Sequence, residues 1–177
     1  MGGFVKLRTH TAVAGVILLV SVGSLFSQDC LDPVTNWRYG VSNGVAAEGD
    51  IALLANGAVL QVVDLTDPST PAVLGELDLL QPIDAVALSG SRGYAATDSR
   101  HVIDLTTPAA PSQIGVLGGF SSVYGIAVVG DLIHVLGYRK LYVVDAGTPS
   151  APVLSGELEW ADVSVRDLEA VSGYVYL

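Results

Sequence analysis

Asp64, Asp104 and Asp145 recur at intervals of 40 and 41 residues. Each closes an apolar stretch: Leu60-Gln-Val-Val-Asp64, Arg100-His-Val-Ile-Asp104 and Leu141-Tyr-Val-Val-Asp145. Carboxylates drawn from successive repeats could ring a divalent cation, which takes oxygen ligands. The competing role is local, because an Asp at a strand end commonly accepts backbone N–H bonds in the turn that follows. Recurrence in every unit favours the turn, since a single site does not need a ligand from each repeat. Asp67 could add a second ligand in one unit, yet Thr107 and Thr148 stand at its place in the others.

A second set is more selective. Aligning the turn glycines Gly49, Gly90, Gly130 and Gly173 brings Asn43, Asp84, Tyr124 and Asp167 to one repeat position. Two carboxylates and a phenol gathered there could bind a cation or a sugar. Asp84 and Asp167 could also work as acid and base, if their surroundings drive their pKa values apart. Polar capping of strand ends produces the same pattern without a ligand. Trp160, Asp162 and Arg166 share the connection before residue 167, and Phe120 and Tyr124 lie in or beside the preceding one. Exposed aromatic and Arg side chains are what binding surfaces use, although Trp160 could equally pack over a sheet edge. His101 and His134 occupy different repeat positions, and neither has a second His or a Cys at ligand spacing, so no metal site is expected. The chain contains no nucleophile elbow, H-E-x-x-H, phosphate loop or dinucleotide fingerprint, and no cofactor is expected.

These side chains must be positioned by the repeat itself. After each repeated Asp comes a Pro four residues on (Pro68, Pro108, Pro149) and a second three later (Pro71, Pro111, Pro152). Within one period the punctuation marks four short strands. In the second unit they are Asp84–Ser89, Tyr94–Thr97, Arg100–Asp104 and a fourth around Ser112–Leu117, bounded by Gly, Asp, Ser and Pro turns. Both prolines fall in a connection, where the missing N–H removes no ladder bond. Four strands in ~40 residues is the length of a propeller blade. The expectation is therefore an all-β chain, a β-propeller of units 43–83, 84–123 and 124–166 with a partial fourth over 167–177. Such an open arc leaves apolar blade faces and a strand edge bare, which invites self-association.

Composition narrows the function classes. At 177 residues the chain is one domain by the usual prior. Half of it is hydrophobic, which excludes a disordered chain. The single cysteine, Cys30, excludes a disulfide framework. A net charge of −10 with only two lysines, Lys6 and Lys140, excludes a nucleic-acid surface. Lys6 and Arg8 precede an uncharged run from Thr11 to Ser27, which reads as a secretory signal over 1–27. At ~1.5 Å per residue the run falls short of a ~30 Å hydrocarbon core, and so disfavours a spanning anchor. Ser27-Gln28-Asp29 lacks the approach that lipid attachment at Cys30 would need. Removing the signal leaves six Arg/Lys against 18 Asp/Glu, a charge of −12. Residues 28–42 are a leader, or an outer strand that completes a blade.

The Val-Val-Asp strands with trailing Pro-x-x-Pro resemble the LVIVD repeat family over residues ~43–177. The resemblance implies a secreted or surface-attached β-propeller with no established general activity. Two departures stand out, Arg100-His101 at the start of the second motif and Ala146-Gly147 after Asp145. Together these readings point to a protein secreted, periplasmic or held at the cell surface, a non-catalytic module that binds protein or glycan. The alternatives are a propeller hydrolase or lyase acting on extracellular polymers through Asp84 and Asp167, and a purely structural module of a longer surface protein.

Overall fold

The computed structural model describes residues 40–120, 122–161, 165–171 and 174–177, all within the unit Arg38–Leu177. The signal segment 1–27, nearly all of the 28–42 leader, Asp162 and Gly173 lie outside the described residues. Three antiparallel sheets of four strands follow one another, each ordered as in the chain. Blade 1 holds β1 (Ser42–Glu48), β2 (Ile51–Asn56), β3 (Val59–Asp64) and β4 (Ala72–Asp78). Blade 2 holds β5 (Ala85–Ser89), β6 (Arg92–Ala96), β7 (Ser99–Asp104) and β8 (Ser112–Gly118). Blade 3 holds β9 (Val123–Val129), β10 (Leu132–Gly137), β11 (Lys140–Asp145) and β12 (Val153–Glu159). A two-stranded piece, β13 (Glu169–Val171) and β14 (Tyr174–Tyr176), begins a fourth. The fold is an open, partial β-propeller. None of the described residues is helical, so none forms a helix long and apolar enough to cross a membrane.

Local sequence explains the blades. First and second strands join through two-residue turns that begin with Gly49, Gly90 and Gly130, at φ of 61°, 57° and 60°. Tight hairpin turns need this left-handed backbone, which glycine adopts without a Cβ clash. The third and fourth strands carry a register shift at the same place in each blade, between Val62/Val63, Val102/Ile103 and Val143/Val144.

Alternation along the strands then sends apolar side chains to both faces, as stacked blades require. Leu53, Ala55, Leu60 and Val62 of blade 1 pack with Val86, Ala95 and Ile103 of blade 2. The opposite face of blade 2, with Tyr94, Ala96 and Val102, packs on Ile133, Val135 and Val144 of blade 3. Leu136 and Leu141 of blade 3 meet Leu168, just ahead of β13. β1 lies beside β5, β5 beside β9 and β9 beside β13, so the first strands form the inner edge of the arc. Their starting ends share one mouth with the β6–β7 turn, while the Pro-x-x-Pro turns lie at the opposite end.

Candidate functional site

The repeated aspartates act on their own turns. Asp64 Oδ1 accepts from the Thr66 N–H, Asp104 Oδ1 from the Thr106 N–H and Asp145 Oδ1 from the Gly147 N–H, each at 2.8 Å. The Thr66 hydroxyl and then its N–H hold the Asp64 carboxyl below the usual range, and the Thr106 N–H and then its hydroxyl do the same for Asp104. Asp67 does the same for Ser69, at 3.0 Å. Among the described residues no group of His, Cys, Asp or Glu is arranged to hold a metal ion.

The mouth of the arc holds Asp84, Asp98 and Arg100 within electrostatic reach of one another. Asn43 links blades: its Nδ2 donates to the Ile83 carbonyl at 3.1 Å, beside Asp84. Asp84 anchors its strand by donating its backbone N–H to Ala96 O at 2.8 Å, while its side chain is exposed. Partial burial pushes the Asp84 carboxyl up. The negative charge of Asp98 adds to the rise and Arg100 opposes it. Tyr124, the equivalent residue one blade on, is 48% exposed.

The fourth member of the set needs correcting. In the β13–β14 hairpin Val171 pairs with Tyr174, so Val171 holds the place of Glu48, Ser89 and Val129. Counting back five residues from each gives Asn43, Asp84, Tyr124 and Arg166, not Asp167. Packing agrees: Gly44 abuts Val86, and its equivalent Gly125 abuts Leu168. Gly173 is the second residue of its turn in sequence, whereas Gly49, Gly90 and Gly130 are the first, and the glycine alignment slipped by one for that reason. Asp167 instead accepts the Leu168 N–H at 2.9 Å and is exposed, as is Arg166. Trp160 is half-buried against the Leu136, Leu141 and Leu168 cluster, and its backbone N–H donates to Arg139 O at 3.1 Å.

Sequence reasoning passed over Arg100 as a site residue. It replaces the leucine that Leu60 and Leu141 supply at the same strand position, and it is 1% exposed. Its guanidinium lies 4.1 Å from the Phe120 ring centre, and Nη1 donates to Thr97 O at 3.0 Å and Ser99 O at 3.2 Å. Nε and Nη2 find no hydrogen-bond partner. Burial lowers its pKa to about 10 against the pull of Tyr142, Asp84 and Asp98. On the other face of β7, His101 Nδ1 lies 2.6 Å from Gln113 Oε1 and Nε2 lies 3.0 Å from Thr97 Oγ1. Thr97 donates in turn to Gln81 Oε1 at 3.1 Å. Blade 2 therefore links Gln81, Thr97, His101 and Gln113 in a polar network, where blade 1 links Asn56, Gln61 and Glu76 instead. Its signal was the departure at Arg100-His101.

Residues 39–78 and 122–159 match the sequence model of the LVIVD repeat. The chain carries LVIVD repeats. The matched stretches coincide with blades 1 and 3, and the unmatched LVIVD-like blade between them is the one holding Arg100-His101. No curated protein matches the chain in sequence. The computationally designed Ika4 protein is similar in structure, with a TM-score of 0.62 at 14% identity over 77% of this chain and 83% of Ika4. A functionally unknown protein from Desulfotomaculum acetoxidans gives 0.60 at 13% identity, over 67% of this chain and 42% of its own. Saccharomyces cerevisiae Sqt1 gives 0.62 at 6% identity, over 72% of this chain and 38% of its own. This chain thus spans less than half of the two natural neighbours, and at these identities the likeness is one of fold.

Proposed function

We propose that this LVIVD-repeat chain is an exported, non-catalytic binding module that takes a glycan at the mouth of its arc, outside the cell or at its surface. The observation that carries the reading is that an exposed Tyr124 and an exposed, partly desolvated Asp84 stand at equivalent repeat positions at the starts of adjacent inner strands. An aromatic face stacks on sugar C–H groups and a carboxylate accepts from paired hydroxyls, the few convergent polar groups that ligand sites use. Arg166 falls at the next equivalent position and supplies donors. The chain's charge of −10 disfavours polyanionic ligands and favours neutral or amino sugars. Export rests on the Lys6/Arg8 region and the apolar run after it. The hydrolase reading loses support once Asp167 leaves the equivalent position, since Asp84 then has no carboxylate partner in that set.

The reading is tested by screening the chain, D84N and Y124A against a panel of neutral, amino and acidic oligosaccharides. Neutral or amino-sugar binding lost in both variants supports it. Binding of proteins alone, or none, sinks it.

A further inference from the structure

Each interblade core repeats one path from the start of a third strand to the mouth. In the first core Leu60 packs with Leu79 and Ile83, and Asp84 follows Ile83. Beyond blade 3, Leu141 packs with Trp160 and Val165, and Arg166 follows Val165. In the core between them the second step is Phe120, the third is Val123, and the residue presented is Tyr124. The backbone N–H groups of Leu79, Phe120 and Trp160 all donate to the turn ahead of the third strand, at Ala58 O, Asp98 O and Arg139 O, so the three positions are equivalent. The first step differs in kind: Leu60, Arg100, Leu141.

Leucine packs without a preferred direction, whereas a planar guanidinium fork has one. Arg100 Nη1 takes Thr97 O and Ser99 O, and the Phe120 N–H takes Asp98 O at 3.4 Å, so this pair claims three successive carbonyls of one turn. The guanidinium lies 4.1 Å from the Phe120 ring centre, and that ring meets Tyr142 edge-on, with centres 4.7 Å apart at 87°. Phe120 is thereby fixed in orientation as well as in place. Past it, Ser122 has a φ of 55°, a region that costs energy for a residue with a Cβ. Tyr124 is then left out of the ladder, because Val123 pairs with Gly137 and Gly125 with Leu136. Such a bulge re-aims a side chain, and this one is flanked by Val123, which shares a core with Phe120. For packing alone, a buried cation with two unpartnered nitrogens is a poor substitute for leucine.

We infer that Arg100 is a positioning residue for the mouth: acting through Phe120 and Val123, it sets the direction in which Tyr124 is presented, and so which ligand ring can stack there. The inference deepens the glycan reading and rests on it for Tyr124 being a ligand contact. Asp84 and Arg166 present charges rather than a ring face, and plain leucines suffice beneath them.

Two arms test it, the first without any saccharide. In amide NMR spectra of the full chain, Arg100→Leu should shift or broaden the Val123, Tyr124 and Gly125 resonances. Those of Asn43 and Gly44, at the matching bulge of blade 1, should stay in place. The variant should melt no lower than wild type, which separates positioning from loss of fold. Phe120→Leu should disturb the same amides, and the double variant should do no more than either change alone, since both lie on one path. Arg100→Lys keeps a cation for the ring but not the fork, and should recover part of the wild-type pattern. In the second arm, affinity for the strongest saccharide of the panel should fall about tenfold in R100L. Tyr124 resonances that do not move in R100L, or that move only with a lowered melt, overturn the inference whether or not a saccharide binds. Moved resonances with an unchanged affinity overturn it as well. A wild-type chain that binds no saccharide sinks the glycan reading and leaves the first arm to decide this one.

Discussion

Gly75 of blade 1 and Pro108 of blade 2 approach so closely that a Cβ on the glycine would lie 2.5 Å from the proline carbonyl oxygen. That carbonyl is backbone in a tight turn and cannot swing aside as a side-chain tip would. Consecutive blades are therefore interlocked at the outer edge as well as joined through their apolar faces.

Substitution at the three equivalent glycines should separate packing from propensity. Gly75→Val and Gly115→Val force a side chain into occupied space and should each cost about 1–3 kcal/mol or more. Gly156→Val meets no described residue within 4 Å and should change stability by no more than ~0.5 kcal/mol. Urea unfolding of the three variants reads the difference. Equal effects at all three positions would show that these close approaches do not govern stability.

Arg100→Leu should leave the fold intact and raise its stability by roughly 1–3 kcal/mol. It replaces a buried guanidinium with two unpartnered nitrogens by the leucine that Leu60 and Leu141 place at the same position. Arg100→Ala should instead destabilise, because it leaves a cavity beside Phe120 and removes the stacked contact. Thermal unfolding of both variants checks this. A large loss in the leucine variant would mean that the cation is needed for the fold itself.

His134 gives a pH dependence with a definite sign. Burial lowers its pKa, while the Ala127 backbone pulls weakly the other way, and its Nδ1 has no partner. The unfolded chain then takes up a proton at a higher pH than the folded chain does. Stability from this group is present above the ordinary histidine pKa and is lost as pH falls through the window below it. Relative to wild type, His134→Leu, with the residue found at the equivalent Leu53, should flatten unfolding free energy between about pH 7 and about pH 5. An identical slope in both proteins would contradict the assignment.

Asp84 has the opposite sign. Its pKa is raised, chiefly by burial, so the stability its proton brings is present at low pH and is lost as pH rises through the folded value. Asp84→Asn should therefore be as stable as wild type or more so at neutral pH, as expected of a carboxylate kept for binding rather than folding. A marked destabilisation at neutral pH would make it a structural cap.

Much of this architecture was legible because the repeat writes it more than once. Strands ending in Val-Val-Asp or Val-Ile-Asp, turn glycines and paired prolines occur in each of the three full units, so strand order and blade size followed from their period. The aspartate turns were legible too, since Asp64, Asp104 and Asp145 need only local geometry. The site was less so. Arg100 looked like a weakened match to a motif, and only packing shows that its side chain enters an interblade core against Phe120. The slip between Arg166 and Asp167 arose because a glycine marks either residue of a two-residue turn, and ladder pairing is needed to tell which. The close approaches at Gly75 and Gly115 were invisible for a related reason: a glycine in a strand does not announce which backbone approaches it.

On the proposed reading, Asp84 and Tyr124 at the mouth hold the saccharide directly. Calorimetric titration of the strongest saccharide from the panel into wild type, D84N and Y124A tests it most directly. Measurable binding to wild type is expected, weakened about tenfold or more in each variant, with R166A intermediate and G156V unchanged. Affinities that are the same in wild type, D84N and Y124A would contradict it.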